Sequence, residues 1–208
     1  MPKIVDKGAR RLEILESYLG LVAREGMQRA TSRRLAEELG VATGALWHYF
    51  ANYEEMLSRA FRLVFERTNE RIAGATHGRR GLDALERMIE QIHPLEKTSH
   101  DEALVVVSFW GRVATHPSYS DDQRFIERQW HAAYITHIGE AIADGELDPA
   151  TPSTPLADAL VVLAVGYQVE HVLTTPLASP EAQMRVVRAL LAPWMTSSAS
   201  LERLERFE

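Results

Sequence analysis

The chain has 208 residues, 46% of them hydrophobic, with a formal charge of −6 and no cysteine. A soluble globular protein of this length can bury one core plus a small satellite domain, and the missing cysteines exclude disulfides and thiolate metal sites, which fits a reducing cytoplasm. The start, from Met1 to Arg11, is charged where a signal peptide needs an apolar run, and the longest uncharged apolar stretch, Ala159 to Val169, is eleven residues, too few to cross a bilayer.

The charge is unevenly placed. Residues 1 to 50 hold eight Lys or Arg against six acids, a balance of +2, whereas residues 51 to 208 hold 15 against 23, a balance of −8. The net charge argues against a coat of nucleic acid, and the segregation of sign places a local basic patch at the N-terminal end. In chain order, Lys7 to Arg24 reads as a first helix, with Leu12, Leu15, Leu19 and Val22 facing a hairpin over residues 31–50. That stretch, Thr31 to Phe50, reads TSRRLAEELGVATGALWHYF, two short helical patterns joined at Gly40-Val41-Ala42. Thr31 is placed to cap the first, Gly40 to stop it in a left-handed conformation, and Thr43 to cap the second. This is a helix-turn-helix pattern, whose second helix enters the major groove when the motif binds DNA; an ordinary helical hairpin is the other reading.

Glu54 to about Gly74 predicts a long connector, ended by a glycine-rich break over Ala73 to Gly81. Three further helices are predicted over Leu82 to His93, His100 to Thr115 and Ser118 to Asp144, the second apolar on nearly all sides and the third with Phe125, Trp130, Tyr134 and Ile138 inward. The turn-rich Gly145 to Pro155 is either a bend or a mobile loop. The last two helices, Leu156 to Thr174 and Pro180 to Trp194, carry more apolar surface than one core absorbs. Two copies paired around a two-fold axis would cover it, with Leu160, Leu163, Tyr167, Met184, Val187, Leu191 and Trp194 in the interface. Thr196 to Glu208 is polar and loosely helical, with no assignable role.

The N-terminal pattern resembles the TetR family of bacterial repressors. Ile14-Leu15, Gly26, Thr31, Leu35-Ala36, Gly40-Val41, Gly44, Leu46, His48-Tyr49-Phe50 and Glu54-Glu55 all fall in the family's order and spacing. The second half, through Ser108 to Tyr119 and Val162 to Thr175, is similar to the ligand-binding domain of the choline-responsive BetI-type branch. The chain departs from the family at Ala42, Thr43, Ala45 and Trp47, where Ser, Lys, Thr and Tyr are usual, and at Tyr53, where Lys is usual. Trp47 and Tyr53 keep a donor but no charge, so a weaker salt dependence of DNA binding is expected.

The resemblance implies an all-α protein of about nine helices. Its N-terminal three-helix helix-turn-helix domain would take residues 1–52, and a helical ligand-binding and dimerisation domain residues 53–208. The expected function is a homodimeric repressor, released from a palindromic double-stranded DNA operator by a small-molecule inducer. Lys7, Arg10, Arg11, Arg33 and Arg34, with Trp47, Tyr49 and Tyr53, would hold phosphates, Thr43, Gly44 and His48 would face base edges, and Thr31 would complete the DNA-binding set. Phe109, Trp110, Trp130, Tyr134, Tyr167 and His171 would gather around the ligand, with Glu170 to orient an amine. A helical ligand-binding protein with weak or lost DNA binding is the alternative. The eight histidines show no ligand spacing, and no phosphate loop or nucleophile elbow appears, so neither cofactor, metal nor catalytic role is expected.

Overall fold

The computed structural model describes residues 6–113 and 120–197, which contain nine α-helices and no strand. The expected end of the sixth helix at His116-Pro117, the adjoining part of the Ser108 to Tyr119 segment, Lys3 and the tail from residue 198 lie outside the described residues.

Helix α1 (Lys7–Glu25) begins at Asp6, whose carboxylate accepts the Gly8 and Ala9 N–H groups, and stops at Gly26 with φ of 79°. Its buried stripe is Ile14, Leu15, Tyr18, Leu21 and Val22. Centred on Tyr18, that stripe leaves Leu19 on its flank and Leu12 exposed, which corrects the expectation that Leu12 faces the hairpin. The hairpin itself is α2 (Ser32–Glu38) and α3 (Thr43–Leu46). Thr31 caps α2 by accepting the Arg34 N–H at 3.2 Å, and Gly40 sits at φ of 66° in the turn. Thr43 does not cap α3. Ala42 occupies the cap position with no side-chain bond, and Thr43 is the first helical residue. After Leu46 the chain continues in tighter turns, Trp47 N–H to Gly44 and His48 N–H to Ala45, so the recognition segment is short.

The connector α4 (Tyr53–Thr76) is capped by Asn52, and Glu55 reaches back to the Ala51 N–H at 2.6 Å. That bond, with Arg59 second, holds the Glu55 carboxyl below the usual carboxylate range. After a break over residues 77–80 comes α5 (Gly81–Ile92), whose cap residue Arg80 supplies no acceptor. Two carboxylates from elsewhere do so: Glu140 accepts Gly81 N–H and Glu146 accepts Leu82 N–H. Gly81 is at φ of 58° with Glu146 where a Cβ would stand, so a side chain there would displace the cap.

Helices α6 (Lys97–Val113), α7 (Ser120–Ala143), α8 (Ser153–Val172) and α9 (Pro180–Leu191) complete the body. On α7 the inward residues are Ile126, Tyr134, Ile138 and Ala141; Phe125 is exposed and meets the Phe65 ring edge to face at the rim of the core, a second correction. The 145–152 segment is an anchored bend, since Asp148 N–H bonds Trp194 O and Leu147 pairs with Met195.

Two cores result. One joins α1 to α4 with Val105 and Phe109 of α6 and Ile126 of α7; the other joins α5, α7, α8 and α9. Helix α6 packs on α1, α4 and α8 together. In the second region His93 is fully buried with neither ring nitrogen bonded, and burial depresses its pKa from 6.5 to about 3. Between pH 6.5 and about 3 the folded chain keeps the ring neutral while the unfolded chain protonates it. Stability from this group is therefore fully present above pH 6.5 and is lost as pH falls toward 3, by up to about 1.4 kcal/mol per unit. Chemical denaturation at pH 7, 6 and 5 should show a steeper loss for the wild type than for His93→Leu, which removes the group without orphaning a partner; equal slopes would contradict this assignment.

Candidate DNA-binding head and ligand cavity

The exposed end of the head carries Gly44, Trp47 and His48, with Thr43 and Tyr49 half-buried beside them. Leu46 and Phe50 on the other side lock the segment into the core, so Trp47 is not needed there and is 36% exposed. Arg11 donates its Nε to Tyr49 O at 2.9 Å and thereby ties α1 to the end of the recognition segment. The remaining cations are mostly engaged with acids. Arg10 pairs with Glu13, Arg33 with Glu37, and Arg34 with Glu25 and Glu38, while Lys7 is exposed. Arg33 is 84% exposed in its side chain, and such a surface pair contributes only about 0–1 kcal/mol, so a phosphate would displace Glu37 from it at little cost; Arg34 is held more firmly, by three bonds to Glu25.

Tyr53 has a different task from the one expected. Its hydroxyl lies 2.8 Å from the Tyr18 hydroxyl and donates to Ala30 O at 3.3 Å, with the two rings edge to face. Burial, then the neighbouring Tyr53, pushes the Tyr18 phenol well above its ordinary range, which keeps it a neutral hydrogen-bonding group. From α6, Arg112 lies over the Tyr53 ring at 5.2 Å and bonds Glu54 at 2.6 Å. Tyr53 is thus a fastening between head and body and is not free to hold a phosphate. Nothing in the local sequence pointed to Arg112, because Glu54 lies 58 residues away along the chain.

Among α4, α6, α7 and α8 lies a largely apolar cavity with a free volume of about 50 Å³. Phe61, Phe65, Val106, Trp110, Ile126, Trp130, Val161 and Val165 supply apolar wall, and Glu102, Gln123, Glu127 and Gln168 the polar part. Of the expected ligand residues only Trp110 and Trp130 are there. Phe109 is buried one position away, stacked on Phe61 at 4.0 Å. Tyr134 belongs to the second core, its hydroxyl unbonded, and Tyr167 packs against His93. Glu170 bonds Thr175, and His171 stacks on His100 at 4.2 Å, both away from the cavity. The sequence pattern grouped these aromatics by helix; the packing separates them by face. Among the described residues no group of three or more His, Asp or Glu side chains is placed to share a metal ion, and no helix is long and apolar enough to cross a membrane.

The dimer expectation also changes. Leu160, Tyr167, Val187 and Leu191 are buried within the subunit, with Leu163, Met184 and Trp194 half-buried. One surplus stripe of α8, Val161 and Val165, faces the cavity. The outward stripe is instead Val162, Gly166, Val169 and Leu173, with Val162 68% and Leu173 62% exposed.

A helical head with an exposed recognition segment, fastened to a body with an apolar cavity, defines a helix-turn-helix regulator. Residues 14–60 match the model of bacterial regulatory proteins of the tetR family, and residues 81–193, more than half of the chain, match that of the BetI-type transcriptional repressor C-terminal region. The chain belongs to the TetR family, with a C-terminal half of the BetI type. It is 40% identical over 72 residues to the HTH-type transcriptional regulator PksA of Bacillus subtilis, a match spanning 35% of each chain. It is 27% identical over 147 residues to the transcriptional repressor KstR2 of Mycobacterium tuberculosis, covering 68% of this chain and 70% of that one. A transcriptional regulator from Saccharomonospora viridis, solved in complex with choline, shares the fold at TM-score 0.80 and 20% identity, over 89% of this chain and 96% of the other.

The fastening role of Tyr53 is checked by Tyr53→Phe. Loss of the hydroxyl should lower stability by about 1 kcal/mol while the DNA affinity of the folded variant stays the same; an affinity weakened equally at every salt concentration, as loss of an uncharged phosphate donor would give, would return Tyr53 to the phosphate contacts.

Proposed function

We propose that this chain is a ligand-responsive, homodimeric repressor. Its heads, residues 1–52, would enter successive major grooves of a palindromic operator, roughly 34–36 Å apart. Lys7, Arg10, Arg33, Arg34 and Trp47 would hold phosphates, with Thr43, Gly44 and His48 at base edges and Arg11 steadying the segment through Tyr49. The 53–208 body would carry the inducer cavity and pair with a second copy through the outward stripe of α8. Exposed apolar surface of this length, Val162 to Leu173 with Leu177 beyond it, favours a covering partner.

The observation that carries this reading is that one helix reaches both sites. Trp110 of α6 lines the cavity, and two residues on, Arg112 grips Tyr53 and Glu54 at the base of the head. The free volume of about 50 Å³ is well short of the roughly 150 Å³ that holds benzene. An inducer must therefore push the walls apart, and α6 would carry the shift to the heads. The ligand changes DNA affinity to the extent that it prefers the displaced arrangement.

A second reading, a ligand-binding protein with weak DNA affinity, is favoured by the ion pairs that occupy Arg10, Arg33 and Arg34 and by the uncharged Tyr53. Retention of genomic fragments by the purified protein, followed by titration at several salt concentrations, separates the two. The repressor reading predicts a discrete palindromic site bound as a dimer. On it, Arg33→Ala should lower the salt slope by about one and weaken all sequences alike, whereas His48→Ala should cost about 1–3 kcal/mol on the cognate site only. Binding without sequence preference in every variant would favour the second reading.

A further inference from the structure

We infer that the cavity takes a lipophilic amine in its protonated, N–H-bearing form, with Glu127 as its counter-charge. This rests on the cavity being the inducer site and adds the chemistry of the occupant.

Most polar hydrogens around the cavity already have acceptors within the protein. The indole N–H of Trp110 donates to Gln123 Oε1 at 2.7 Å, and that of Trp130 to Asn69 Oδ1 at 3.0 Å. The hydroxyl of Thr68 donates to Val64 O and that of Ser99 to Glu96 O. Gln168 donates its amide to Ile92 O, which leaves its carbonyl oxygen as an acceptor. The indole and hydroxyl hydrogens are thus committed, while acceptors remain. A ligand that brought only acceptors would find few donors and would leave Glu127 and Gln168 unmatched after displacing water from them, which weakens binding.

Charge points the same way. Glu102 is neutralised by Arg71, whose two terminal nitrogens reach its oxygens at 3.0 and 2.7 Å. Glu127 receives only the Gln123 amide at 2.9 Å, and among the described residues no basic side chain pairs with it. An uncompensated carboxylate beside an apolar wall repels anions, gains little from neutral hydrocarbons, and favours a cation. The indoles of Trp110 and Trp130 add the attraction of aromatic faces for a positive centre. A quaternary ammonium meets the charge but brings no hydrogen for Glu127 Oε2 or Gln168 Oε1; a protonated amine does both. The dominance of apolar wall requires a hydrocarbon or aromatic group on the same molecule.

The test uses the full chain and four ligands of similar shape: 3-phenylpropylammonium, its N,N,N-trimethyl derivative, n-butylbenzene and 4-phenylbutyrate. Binding is followed by calorimetry and by the fluorescence of the tryptophans, two of which line the cavity. The ammonium should bind about tenfold more tightly than the trimethyl compound and about a hundredfold more tightly than the neutral and anionic ones. Glu127→Gln should erase the preference for cations and Glu127→Asp should keep part of it, with circular dichroism checking that each variant folds. Should a variant fail to fold, the ligand order on the wild type decides. Equal binding of n-butylbenzene or 4-phenylbutyrate overturns the cation assignment and leaves the cavity as the inducer site. A trimethyl compound that binds as well as the ammonium overturns the N–H requirement. Binding of none of the four removes the cavity as a small-molecule site, and the inference with it.

Discussion

Helix α6 is held on three sides, and that constraint organises the molecule. Phe109 stacks on Phe61 of the connector, Val105 enters the core shared with α1, and Trp110 stands at the cavity wall. Close-packed interiors do not absorb added volume by compressing. A helix packed on the head, the connector and α8 together has little room to yield without moving one of them. The Arg112 grip on Tyr53 and Glu54 places the head in line with that movement, because Tyr53 in turn bonds Tyr18 at the centre of α1 and the Ala30 carbonyl just before the hairpin. Coupling between sites then needs no separate device beyond ordinary side-chain packing.

The electrostatics of the head likewise depend on close neighbours. Of the basic side chains that would meet phosphate, Arg10, Arg33 and Arg34 are held by adjacent acids while the protein is alone, which limits repulsion between cations and keeps each near the surface from which it would act. Exchange of Glu37 for a phosphate at Arg33 changes partner but not charge state. Most of the attraction to DNA would then appear as counterion release from the duplex, and the modest net charge of the N-terminal fifty residues limits its size. Arg11 differs from the rest, since its bond to the Tyr49 carbonyl ties it to the backbone of the recognition segment.

The all-α architecture, the number of helices and the hairpin were legible in the sequence because each depends on local chemistry. Thr31 as a cap, Gly40 and Gly26 at positive φ, and the apolar periodicity of α1 and α5 are properties of short windows. What failed to show was anything that depends on which face of a helix meets which neighbour. Tyr134 and Trp130 are four residues apart on α7, yet the first fills a core and the second lines the cavity. Leu160 and Val162 on α8 differ by two residues and end on opposite sides, one buried and one exposed. The ring of acceptors at Glu127, Gln123 and Gln168 was invisible because polar side chains at helical spacing look like a solvated surface until another helix covers them. Arg112 escaped for the same reason: its meaning comes from contacts across the fold.

Transmission of cavity volume through α6 to the head can be tested without knowing the inducer. Ala164 is buried at the cavity wall on α8, so Ala164→Phe would place an aromatic ring where a ligand would go. The decisive quantity is the affinity of this variant for the DNA site retained by the wild type, in a sample shown by circular dichroism and sedimentation to keep its helices and association state. A loss of about tenfold or more is expected, equivalent to at least about 1.4 kcal/mol. An unchanged affinity in a folded variant with a filled cavity would contradict coupling through α6.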